Sequence, residues 1–111
     1  MTVAENYRRK LTVRKMDRNG YNPSILDTCD GEDYLTKDEC LQTVRHEIYF
    51  GTANRKISKV NGLWVNVSPE SHRLIHSNRQ VDLRLKVECQ MIFECEHSRE
   101  EFRALIGKSY L

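Results

Sequence analysis

The sequence predicts an α+β fold: one small domain in which a strand, a loop, a second strand and a helix follow one another and are closed over by C-terminal helices. Three observations carry this. A chain of 111 residues has room for one hydrophobic core, and 39% hydrophobic against 31% charged residues is the balance of a globular chain, not a disordered one. Gly62-Leu63-Trp64-Val65-Asn66-Val67 is rich in β-formers and runs straight into Ser68-Pro69-Glu70, a helix start. From Arg79 to about Glu96 apolar residues recur at helical spacing.

Taken in order, residues 1–20 show no sustained periodicity and carry six Lys/Arg against two acids, so they read as a basic N-terminal arm or an edge strand. Arg18-Asn19-Gly20-Tyr21-Asn22-Pro23 is a cluster of turn formers that separates this arm from a domain over 21–111. Thr36-Lys37-Asp38-Glu39 fits a capping box and predicts a short helix through about Val44. His46-Glu47-Ile48-Tyr49-Phe50-Gly51 reads as a strand stopped by glycine, and Thr52 to Asn61 as a polar, basic connection. After the strand ending at Val67, Ser68 as N-cap, Pro69 at the first helical position and Glu70 at the positive helix end predict a helix over 69–77. The helix from Arg79 shows two stripes, Val81, Leu85, Cys89 and Ile92 on one and Leu83, Val87 and Met91 on the other, which predicts a wide buried face, part of it available to a homodimer or another partner. Ser98-Arg99-Glu100-Glu101 is a second capping box; its helix turns Phe102, Leu105 and Ile106 inward and ends at Gly107.

Net charge is only +2, but it is segregated: residues 21–47 carry two Lys/Arg against seven acids, and 48–86 carry seven against two. A basic arm and a basic centre separated by an acidic segment can present phosphate-binding surface despite the small total. No apolar run nears the roughly 18 residues of a membrane span, and MTVAENYRRKLTVRK lacks the apolar core of a signal peptide, so no membrane partner and a cytoplasmic location are expected. Cys29, Cys40, Cys89 and Cys95 form no CxxC pair and are expected to be free thiols, with Cys89 and Cys95 serving as small apolar packers. Trp64 and Tyr49 are expected in the core, and His97 in an exposed loop.

The chemistry concentrates between residues 46 and 77. His72 and His76 are four apart on the expected helix, so both imidazoles leave one face and can share a cation. His46 stands 26 residues before His72, at the start of the first strand, and a strand–loop–strand–helix unit folds that strand back beside the helix. Three imidazoles then converge on one divalent ion (Zn, Mg, Mn or Ni) and leave positions open for water and a phosphate oxygen, as metal-assisted hydrolysis requires. Arg55, Lys56 and Lys59 in the connection, with Arg73 and Arg79 flanking the histidine helix, are candidates for holding nucleic-acid phosphates.

The stretch from His46-Glu47-Ile48-Tyr49-Phe50-Gly51-Thr52-Ala53-Asn54-Arg55 through Gly62-Leu63, Ser68-Pro69-Glu70-Ser71-His72-Arg73 and His76 into Asn78-Arg79-Gln80-Val81-Asp82-Leu83-Arg84-Leu85-Lys86 and the ending Phe102 to Leu111, roughly residues 45–111, resembles the HNH, or ββα-metal (His-Me finger), nucleases, and within them small HNH-like proteins of bacteriophages and prophages. The resemblance implies a ββα-metal unit over about 46–77, with C-terminal helices over about 79–107. It places His46, His72 and His76 on the metal ligands and Glu47 where the family usually has a general-base histidine. It also implies DNA as substrate, and the host cytoplasm as location if the chain is phage-encoded. The alternative register makes His46 the base and puts Arg45 on a ligand position, where a guanidinium cannot coordinate a cation. Besides Glu47, the chain departs from the family in lacking an asparagine clearly in register on the second strand and the paired cysteines of many relatives. Three functions follow: a metal-dependent endonuclease or nickase, a catalytically inactive derivative that binds nucleic acid, and a platform for a host or phage protein such as a defence complex.

Overall fold

The computed structural model describes residues 16–111, so most of the basic arm assigned to 1–20 lies outside the described residues. The elements are β1 (Val44–Glu47), α1 (Asn54–Val60), β2 (Trp64–Val67), α2 (Pro69–Ser77), α3 (Arg79–Phe93) and α4 (Arg99–Ile106). β1 and β2 pair antiparallel, with His46 opposite Val65 and Glu47 opposite Trp64. The domain is therefore α+β, as expected.

β2 is buried along its whole length: β1 pairs with one edge, and along the other the Ser24 hydroxyl donates to the Trp64 carbonyl and the Asn66 amide donates to the Thr28 hydroxyl. Its end sets the direction of α2. The Ser68 hydroxyl accepts the Ser71 amide hydrogen at 3.0 Å, Pro69 occupies the first turn, and the Ser68 and Ser71 hydroxyls both donate to the buried carboxylate of Asp33. Asn78 ends α2 and caps α3, its Oδ1 accepting the amides of Gln80 and Val81. The capping box of α4 is made as expected, and Gly107 ends that helix at φ 100°. Ile48, Tyr49, Leu63, Val65, Ile75, Leu85, Cys89, Phe93 and Phe102 form the core where the sheet meets α2, α3 and α4.

Six expectations change. The helix through residues 36–44 is absent: Leu35 N–H bonds the Asp33 carboxylate, Lys37 adopts φ 66°, and Glu39 pairs with Glu32 in an antiparallel bridge. Tyr34 is held by Glu88, 54 residues on, and this tertiary anchor overrides the local cap. The first strand begins at Val44 and ends at Glu47, two residues earlier at one end and four at the other than His46–Gly51. The polar connection contains α1, which buries Ser58 against the backbone of Tyr49 and packs Ile57 on the core. On α3 only the Val81/Leu85/Cys89/Ile92 stripe turns inward; Leu83 and Met91 are exposed. Cys95 is also exposed, not packed, while Cys89 is buried, and all four cysteines are free. His97 is partly buried, stacked on Phe93 with a 4.4 Å centroid separation and hydrogen-bonded to Glu101.

The turn into β2 depends on Gly62. Its φ is +72°, its carbonyl accepts the Ile25 amide at 2.9 Å, and a Cβ there would collide with the Pro23 carbonyl oxygen. Gly62→Ala combines left-handed strain with a backbone clash, and urea unfolding should show a loss of roughly 3 kcal/mol. A loss of a few tenths would mean that the Asn22–Thr28 segment does not brace the sheet.

Candidate metal centre

β1 turns His46 inward, where it is 1% exposed, and α2 carries His72 and His76 on the face above it. The His46 ring centroid lies 5.3 Å from each of the other two, and His72 and His76 are 4.7 Å apart by centroid. Their Nε2 atoms approach to 3.2 Å, and one ligand atom from each of the three histidines falls within 4.8 Å of the others. Phe50 closes one side, its ring 5.0 Å from His76 and 5.9 Å from His46.

Among the described residues Nε2 of His46 is buried with no hydrogen-bond partner. An orphaned buried ring nitrogen costs about 1–3 kcal/mol, and a cation shared with two neighbouring imidazoles removes that cost. The residues present therefore fit a metal ion. Glu47 is not among the converging ligand atoms.

Electrostatics support the same fit. Burial, then the neighbouring His72, His76 and Lys86, depress the His46 pKa to about 3, and burial followed by His76 lowers that of His72 despite the opposing pull of Glu47. Both rings are thereby kept neutral, the form that ligates. Without a cation the consequence is a pH-dependent stability. Above about pH 6.5 both folded and unfolded His46 are neutral; below it the unfolded chain takes up the proton that the folded chain refuses. Stability should therefore fall as pH drops from about 6.5 toward about 3, by up to roughly 1.4 kcal/mol per pH unit from His46. Urea unfolding in chelator across that range, compared with His46→Gln, checks this; identical slopes would contradict it.

The three histidines line a cavity of about 200 Å³ together with Arg45, Glu47, Phe50 and Arg55. Glu47 sits at its rim with a side chain 15% exposed; Oε2 accepts the Tyr21 hydroxyl at 2.8 Å, and Arg55 Nε stands 3.6 Å from Oε1. Burial, then the bond to Glu47, push the Tyr21 phenol up to about 12, so it remains a donor. Arg45 pairs with Asp17 and lies over both Tyr21 and Trp64.

Of the five basic residues singled out by sequence, only Arg55 lines this cavity. Lys56 and Lys59 stand with Arg55 along an adjoining groove, Arg73 is exposed 3.8 Å from Glu70, and Arg79 is exposed at the start of α3. Sequence reasoning missed Phe50 and Tyr21 and set Arg45 aside. Phe50 and Arg45 are close to His46 in sequence, which is a usable signal; Tyr21 has none, since its contact spans 26 residues. Trp64 is buried as expected, its indole N–H donating to the Asn22 carbonyl at 2.7 Å. No family model matches the chain, and neither the curated proteins nor the solved structures yield a match.

Proposed function

We propose that the protein is a metal-dependent, HNH-like endonuclease or nickase that hydrolyses DNA phosphodiester bonds. The observation that carries this reading is the orphaned Nε2 of His46, buried beneath the His72/His76 pair in a cavity that also presents Glu47 and two guanidinium groups. Three imidazoles with no carboxylate among them are a ligand set for Zn or Ni in preference to Mg or Mn, whose hard cations favour oxygen. When bound, such an ion supplies Lewis-acid stabilisation of charge on a phosphoryl oxygen.

The chain's own residues supply the rest. Arg55 and Arg45 at the cavity wall bind and orient a phosphodiester through charge-assisted hydrogen bonds. Glu47 takes the proton of the attacking water, its carboxylate aimed by Tyr21 on one oxygen and drawn toward Arg55 on the other. Phe50 keeps bulk water from the inner side of the imidazoles. A second reading, a catalytically inactive HNH-derived protein that binds nucleic acid or a host protein, is favoured by one fact: both Glu47 oxygens are already engaged, one by the Tyr21 hydroxyl and one facing Arg55, so neither is free for a water. Incubating supercoiled plasmid with the protein and Zn, Ni, Mn or Mg tests the choice. Nicking or linearisation that EDTA stops is expected; an inert protein with every cation would leave the second reading.

A further inference from the structure

The groove next to the histidine cavity differs from it in character. It encloses about 450 Å³ and is lined by Met16, Thr52, Arg55, Lys56, Lys59 and Val60, so it combines an apolar floor with three cations. No acidic residue lines it among the described residues. Lys59 is held at the rim with its ammonium 4.8 Å from the Tyr21 ring centroid, and Tyr21 in turn bonds Glu47. Arg55 lines both spaces, so an anion it binds lies at the boundary between cavity and groove.

From this juxtaposition we infer that the groove is a subsite for an unpaired nucleobase next to the phosphate bound at the histidine cavity, so that the strand acted on is single-stranded or locally opened. The inference rests on the cavity being a phosphodiester site. The cations fit a polyanion, and the apolar floor fits a flat uncharged group attached to it; a nucleotide has both. A volume in the few-hundred-Å³ range of small-ligand clefts admits a base. A base within a duplex has its faces stacked and its edges paired, so only an unpaired one can lay its face on Met16 and Val60. An acidic peptide would use the same cations but leave the floor unfilled, and duplex DNA would use Lys56 and Lys59 with no contribution from a base.

Fluorescence anisotropy with the full chain in EDTA, which prevents cleavage, separates these cases. The probes are labelled octathymidylate, a strand of equal length and charge made of abasic units, and a hairpin duplex. Octathymidylate should bind at least about fivefold tighter than the abasic strand, and tighter than the duplex. Met16→Ala should shrink the thymidylate-to-abasic ratio and leave the salt slope unchanged. Lys56→Ala with Lys59→Ala should reduce the slope of log affinity against log salt by about 1.4, two single-strand phosphate contacts. Equal binding of thymidylate and abasic strands, tighter binding of the duplex, or no binding would overturn the subsite. Base-dependent binding by a protein inert toward plasmid keeps the subsite and removes hydrolysis; cleavage with no base dependence does the reverse.

Discussion

Replacing His72 with alanine should abolish stoichiometric cation binding while leaving the fold in place. The side chain is only partly buried, and the helix is fixed independently by the buried Ile75 and by the Asp33–Ser68–Ser71 cluster. Removing one of three imidazoles leaves two ligands, and even substitutions behind a metal ligand cost about 10–100-fold in affinity, so loss of a ligand should exceed roughly 100-fold. The wild type should bind about one Zn or Ni per chain, and saturation at about 100 times Kd should add roughly 2.7 kcal/mol of stability that EDTA removes. His46→Ala should also eliminate binding but lose fold stability besides, because that ring is buried. Calorimetric titration and melting with and without chelator read both effects. Equal cation binding by wild type and the His46/His72/His76 triple alanine variant would remove the site.

Glu47→Ala should retain the cation and lose roughly 100-fold or more in cleavage rate, the usual size of a general-base contribution. Two local effects shape this expectation. The deletion frees Arg55, whose nearest carboxylate oxygen among the described residues is that of Glu47 at 3.6 Å, so phosphate affinity should be maintained or rise while the rate falls. It also strands the Tyr21 hydroxyl, which Tyr21→Phe controls for. Glu47→His should keep or raise activity, because an imidazole is the usual general base at neutral pH. Rates under single-turnover conditions decide. An unchanged rate in Glu47→Ala would mean that the carboxylate serves only to hold Tyr21 and Arg55.

The parts of the site legible in the sequence are those fixed by local rules. Ser68-Pro69 marks where β2 stops and α2 starts, and the four-residue spacing of His72 and His76 puts both on one face whatever surrounds them. Placing His46 beneath them needed one tertiary assumption, that the strand before the loop pairs with the strand after it, and short antiparallel strands meet it. α1 was hidden because seven residues with Ile57 and Val60 as their only large apolar side chains give no periodic signal; its stability comes from burying Ser58 and Ile57 under Tyr49 and the core. The failed helix at Thr36 has the opposite cause. Its capping pattern is genuine, but Asp33 is committed to Ser68 and Ser71 and Tyr34 to Glu88, and together these hold the chain in a turn. Exposure of Leu83 and Met91 could not be read from spacing, since which stripe of a helix is covered depends on where α2 and α4 lie.

X-ray absorption at the cation edge of the Zn-loaded wild-type protein tests the three-imidazole centre most directly. The expected spectrum shows a nitrogen/oxygen shell at about 2.0–2.1 Å with the ring multiple scattering of three histidines, falling to two histidines or to free aqueous Zn in His72→Ala. A shell of oxygen alone, a shell containing sulfur, or a spectrum that His72→Ala leaves unchanged would contradict it.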